Sequence, residues 1–210
     1  MSQPWTLMLH DGSMQSLVVT AMYAEKPKLL AVYVHDGRTN DVRAFECFGH
    51  QVERYNIPKQ LELTLTHLGA SSDAATAEPG VGPRVPLADM QELMAGAGLA
   101  LQLKAERLIW PVQVGDDFEA VARFTESVQL VQQIIRLERG VDLAIDLPVL
   151  EMTDRQLVEV GMQMEAPWTL SRSCETRTNE PCGQCAGCKR RAAAFEAAAV
   201  DDPLQVTARA

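Results

Sequence analysis

Four of the five cysteines fall at Cys174, Cys182, Cys185 and Cys188, a C-x7-C-x2-C-x2-C run. Four thiolates can close a tetrahedral shell around one zinc ion and leave no position for water, so such a site is structural. Gly183 and Gly187 allow turns tight enough to aim neighbouring sulfurs at one ion. Zinc with four thiolates carries a charge of about −2, and Arg172, Arg177, Lys189, Arg190 and Arg191 flank the run with compensating charge. An iron–sulfur cluster is the competing occupant, because closely spaced Cys-x-x-Cys steps also occur in ferredoxins. The usual fourth cysteine three residues later, followed by proline, is absent. The expectation is one structural zinc per chain on these four cysteines.

Other residues that could do chemistry stand at the ends of apolar runs. His10 closes the run Thr6–Leu9 and could bind phosphate or act as a base, or be satisfied by hydrogen bonds in the core. Asp11-Gly12-Ser13 follows as a turn that also reads as a helix cap. His35 and Asp36 close the next run, Leu29–Val34, and would face the same ligand crevice, where they could contact a bound nucleotide. His50 and His67 have no partners at metal spacing and read as surface groups, and Cys47 has no base in view and reads as an inert thiol. Trp110 and Trp168 read as packing residues, and Ser171 and Ser173 as setting the turn around Cys174.

The elements that position these residues alternate. Leu29–Val34 is continuously apolar, the mark of a strand buried on both faces. Leu61–Leu65 and Val141–Ile145 alternate, as edge strands do, and Arg107–Val112 is a further strand. Helical spacing covers Ser13–Tyr23, Asp41–Tyr55, Leu87–Lys104 and Asp117–Arg139. A capping box at Thr153–Gln156 opens a short helix to Met164. Residues 67–86, rich in Gly, Pro, Ser and Ala, read as a long loop. Strands separated by helices imply an α/β fold: a Rossmann-like, doubly wound, parallel five-stranded sheet of order 3-2-1-4-5, with ligands at the carboxyl ends of the strands. The division is residues 1–166 as the Rossmann-like domain and 167–205 as a zinc-binding segment packed on it. The chain of 210 residues carries 19 Lys plus Arg against 28 Asp plus Glu, a net charge of −9. That balance argues against a nucleic-acid or anionic-membrane partner. With no membrane-length apolar run and no secretory pattern, the expected location is cytoplasmic. The Val121–Ile135 stripe reads as core, and part of it could instead pair with a second subunit, giving a homodimer or another protein partner.

From Pro167-Trp168-Thr169-Leu170-Ser171-Arg172-Ser173-Cys174 onward the chain resembles the 7-cyano-7-deazaguanine synthase family, within the ATP pyrophosphatase-loop superfamily. Pro181-Cys182-Gly183, Cys185, Cys188, Arg191, Ala194-Phe195 and Asp202-Pro203 carry the same resemblance. It implies a reaction in two ATP-consuming steps, in which a purine-like carboxylate becomes an amide and then a nitrile on the way to queuosine. The family's nucleotide loop is Ser-Gly-Gly-x-Asp-Ser; the matching segment here is Asp11-Gly12-Ser13-Met14-Gln15-Ser16. Gly12 and Ser16 agree, while Asp11, Ser13 and Gln15 depart. Asp11 can take helix N-terminal N–H groups that would otherwise meet phosphate, and a neutral Gln15 is a poor magnesium ligand. Arg and Asn, expected after Val85-Pro86, are replaced by Ala88 and Asp89. ATP and magnesium are therefore doubtful cofactors. The expected activity is that of an ATP-dependent ligase, weak or lost, the alternative being a non-catalytic binding or assembly subunit that keeps the zinc.

Overall fold

The computed structural model describes residues 4–37, 40–69 and 87–204; the remainder of the 67–86 loop expected from sequence lies outside them. Five parallel strands, β1 (Trp5–His10), β2 (Leu29–His35), β3 (Lys59–Thr64), β4 (Ala105–Ile109) and β5 (Ala144–Asp146), form one sheet in the order β3-β2-β1-β4-β5. The connecting helices are α1 (Met14–Tyr23), α2 (Asp41–Arg54), α3 (Ala88–Gln102) and α4 (Phe118–Arg139), followed by α5 (Asp154–Gln163) and α6 (Ala186–Ala197). This is the doubly wound order expected from the alternation of strand and helix.

The period of two along each strand divides the core. Met8, Ala31 and Tyr33 point to one face, where they meet Leu17 and Val18 of α1, Phe48 of α2, Leu157 of α5 and Phe195 of α6. Leu7, Leu9, Leu30, Val32 and Val34 point to the other, under Leu93 and Ala97 of α3 and Phe124 and Val131 of α4. Gly96 explains the small-residue composition of α3: a Cβ there would stand 2.9 Å from Leu9 Cδ2, so glycine lets the helix settle on β1.

Strand β2 is buried along almost its whole length and β3 alternates between half-buried and exposed, both as its pattern implies. Two strand expectations shift. β4 spans 105–109 instead of 107–112, because Trp110 turns to pack on Phe124 and donate its indole N–H to Glu92 at 3.0 Å. β5 is only three residues; Val141 lies outside it and is exposed, and Leu143 is buried just before it, its carbonyl taken by Gln132 Nε2. Thr153 and Gln156 do form the capping box of α5.

Candidate metal centre and nucleotide loop

The four cysteines converge. Their Sγ atoms all lie within 4.8 Å of one another, and Cys174, Cys185 and Cys188 are buried. Sulfurs at about 2.3 Å from a shared tetrahedral ion stand roughly 3.8 Å apart, so the set can hold a metal. Backbone N–H groups already point at the sulfurs: Cys182 N to Cys174 Sγ at 3.3 Å, and Cys185 N to Cys182 Sγ and Cys188 N to Cys185 Sγ at 3.4 Å each. Such donors favour thiolate. Burial pushes the Cys174 thiol up, yet hydrogen bonds from Thr176 and Cys182 outweigh it and bring it down to about 6, whereas at Cys185 and Cys188 burial wins and pushes the thiols up.

Cys185 also accepts from Cys188 N as the N-cap of α6, so the spacing of the last two cysteines is one turn of helix start. Gly183 has the positive φ, +71°, of a turn residue. Gly187 does not make a turn: it sits in the first turn of α6, where a Cβ would come within 1.9 Å of Ser173 O. The flanking cations also do something other than neutralise the sulfurs. Arg172 is buried and donates to the carbonyls of Cys174, Thr176, Thr178 and Asn179, so it organises the loop between the first two cysteines. Arg190 pairs with Asp154, and Arg191 with Asp202. Ser171 does more than shape the turn, because its hydroxyl accepts from Arg191 Nη1 at 2.7 Å and donates to Trp168 O.

At the carboxyl end of β1 the loop satisfies itself. Asp11 Oδ1 accepts from Ser13 N at 3.0 Å and from Ser16 Oγ at 2.6 Å. Ser13 Oγ accepts from Ser16 N, which makes Ser13 the N-cap of α1 where the sequence pointed to Asp11. Ser16 Oγ accepts from Asp11 N, and His10 Nδ1 accepts from Gly12 N. The N–H groups of residues 11, 12, 13 and 16 are all taken within the loop. Gly12 has φ +72° and a Cβ would lie 2.1 Å from Ala44 O, so only glycine fits. Its carbonyl accepts from Arg172 N at 2.8 Å and Gln51 Nε2 at 3.3 Å, which ties the loop to α2 and the cysteine segment.

Gln15 does not point into open space. Its Nε2 donates to Gln113 Oε1 at 2.7 Å, just after β4, and Gln113 Nε2 donates to Met152 O and Asp154 Oδ1. His35 is likewise engaged: Nδ1 meets Asp41 at 2.7 Å and Nε2 meets Glu62 at 2.9 Å, and these carboxylates outweigh burial to raise its pKa. Asp36 is buried beside it. His50 and His67 are exposed, Cys47 is half-buried with its thiol pushed up by burial, and Trp168 packs on Phe195. The Gln113–Arg190 contacts were not anticipated; a glutamine after a strand and an arginine among several carry no local signal of their meeting.

His10 is fully buried, and burial lowers its pKa from 6.5 to about 4. The Thr20 hydroxyl donates to Ser16 O, so it accepts from Nε2–H at 3.2 Å and the ring is neutral. The unfolded chain then binds the extra proton first. His10 contributes its full stability above pH 6.5 and loses it as pH falls towards 4, a change of about 3 kcal/mol. His35, with a raised pKa, runs the other way near pH 6.5, where the folded state holds more of its proton, and goes flat well below; that contribution is common to wild type and His10→Gln and cancels in their comparison. Denaturant titrations should show wild type weakening from pH 6.5 to 4.5 more steeply than His10→Gln. Parallel curves would refute the assignment.

Sheet order, crevice and thiolate cluster together define a doubly wound α/β protein with a metal-competent C-terminal segment. Among the described residues no helix is long and apolar enough to cross a membrane. The family model described as "Queuosine biosynthesis protein QueC" matches residues 6–199, and the chain belongs to the QueC family. It is 28% identical over 220 residues to the 7-cyano-7-deazaguanine synthase of Chlorobium limicola, covering 97% of each chain. Against that of Chlorobaculum parvum it is 27% identical, covering 97% of this chain and 96% of the other. Among solved structures, the U34-tRNA thiolase NcsA of Methanococcus maripaludis with its [4Fe-4S] cluster aligns at TM-score 0.54 and 15% identity, over 80% of this chain and 59% of that one. The NMN synthetase of Francisella tularensis aligns at 0.53 and 13%, over 98% and 79%. At these identities the likeness shows the fold.

Proposed function

We propose that this QueC-family chain holds one structural zinc and has weak or lost ATP-dependent ligase activity. The relatives' name, 7-cyano-7-deazaguanine synthase, gives the activity from which it departs. The observation that carries the reading is the Asp11 carboxylate on Ser13 N–H, backed by the other internal partners of the loop. A phosphate would have to displace a carboxylate already seated on the helix N-terminus. Gln15, spent on Gln113, offers no carboxylate for magnesium. The same self-satisfied loop favours the second reading, a binding or assembly subunit without catalysis.

Zinc is preferred over a four-iron cluster for a geometric reason. Each thiolate on such a cube binds a different iron at a different corner, which spreads the sulfurs; four sulfurs within 4.8 Å suit one shared ion. Cys174, Cys182, Cys185 and Cys188 would be its ligands, and the ion would brace residues 167–205 against the domain of residues 1–166.

Two measurements test this reading. Metal analysis should give about one zinc per chain and essentially no iron; iron with visible absorbance would overturn the assignment. Millimolar ATP, with or without magnesium, should leave the melting temperature unmoved, since only a ligand that binds the folded state raises it. The triple variant Asp11→Ser, Ser13→Gly, Gln15→Asp should gain a nucleotide-dependent rise. Micromolar ATP binding by the unmodified chain would restore the active ligase reading.

A further inference from the structure

Arg190 is two residues past Cys188 on α6, the helix that Cys185 caps. Its guanidinium leaves the cysteine segment and crosses to the crevice. Nε and Nη2 grip Asp154, at 2.8 Å to Oδ2 and 2.6 Å to Oδ1, and Nη2 also donates to Gln113 Oε1 at 3.1 Å. Gln113 Oε1 is the same atom that accepts from Gln15 Nε2 at 2.7 Å, while Gln113 Nε2 reaches Asp154 and Met152 O. One amide oxygen thus joins the first turn of α1, the segment after β4 and the helix of the cysteine segment. A planar fork with several donors can hold a carboxylate and an amide at once, which an ammonium cannot do with the same geometry.

We propose that Arg190 is a latch on the crevice between the carboxyl ends of β1 and β4, and that metal binding at the four cysteines sets it. The ion fixes Cys185 and Cys188, hence the start and rotation of α6, hence the direction in which Arg190 projects. Without the ion, the first turn of α6 loses two anchors and the guanidinium no longer bridges Gln113 and Asp154. This rests on the metal part of the reading above. It adds a regulation of the same crevice: the loaded state is the closed one.

Amide hydrogen exchange on the full chain tests the latch, with metal content measured on every sample. Val114 N and Gly115 N both donate to Leu150 O, and Ser16 N donates to Ser13 Oγ, so these amides report the two crevice walls. In Arg190→Gln they should exchange three- to tenfold faster than in wild type, with metal content unchanged and the α4 amides around Val131 unaffected. Asp154→Asn should do the same from the other side. Arg190→Lys, which keeps the charge but not the fork, should fall between. Stripping the metal from wild type should speed the same amides, and stripping it from Arg190→Gln should add nothing there, because the latch is already open. Crevice amides indifferent to Arg190→Gln would overturn the latch. Metal removal that speeds them equally in wild type and variant would overturn its link to the ion. Should the stripped protein unfold, the Arg190 and Asp154 variants still decide the first point. An error in the zinc assignment shows in the metal analysis, an error in the latch in the exchange rates.

Discussion

Asp202→Ala is expected to lower stability by about 3–5 kcal/mol, the usual cost of stranding one partner of a buried ion pair. Arg191 and Asp202 are 5% and 4% exposed at their side chains. The guanidinium meets the carboxylate in two bonds of 2.8 Å, and its other donors go to Ser171 Oγ and Trp168 O. Alanine at 202 leaves that cation buried beneath the chain with half its partners gone. For a chain of this length the melting temperature should fall by roughly 6–20 °C. Replacing both members, as in Arg191→Met with Asp202→Leu, should cost clearly less, because no uncompensated charge remains. A loss below about 1 kcal/mol for Asp202→Ala would mean that water reaches the guanidinium and the pair is not sealed.

Cys185→Ser should have a larger effect still. On the zinc reading it removes a ligand and the cap of α6 together, and a structural metal's binding energy is folding energy. Metal content should drop to near zero, and the melting temperature should fall by more than about 10 °C. The loss should not stay in the C-terminal segment. Phe195, fully buried on α6, packs with Trp168 and belongs to the core that holds Met8 and Leu17. A chelator added to wild type should reproduce the same melting temperature, while Cys47→Ser, outside the cluster, should change it little. Full metal content in Cys185→Ser would show that this sulfur is not a ligand.

The strand order was legible because two local patterns constrain it: β2 is apolar throughout and β3 alternates, so one is central and the other an edge. The four-cysteine cluster was legible because its members are close in sequence and of one uncommon type. Residues far apart in the chain were not. Nothing in the types of Gln15, Gln113, Asp154 and Arg190 marks them as partners across separations of 36 to 98 residues. The cap of α1 went to Ser13 because the Asp11 side chain closes a tighter bond to Ser13 N, two residues on, and to the Ser16 hydroxyl. Arg172 and Arg191 looked like counter-charges to sulfur when read along the chain, but in space carbonyls and a carboxylate lie closer.

Two cores on opposite faces of one sheet give the chain a direction of assembly during synthesis. The layer under α3 and α4 draws on residues up to Leu150, so it can close while later residues are still being made. The layer under α1 and α2 needs Leu157, Trp168, Ala194 and Phe195. That face stays greasy and uncovered until α6 leaves the ribosome, a window of a few seconds at ordinary translation rates of about 5–20 residues per second. Because the cysteine cluster lies ahead of Phe195, an ion bound there would seize the emerging segment before its aromatic anchor docks. Metal supply would then govern how long the nascent protein is exposed to chaperones and to its neighbours, apart from any effect on the finished fold.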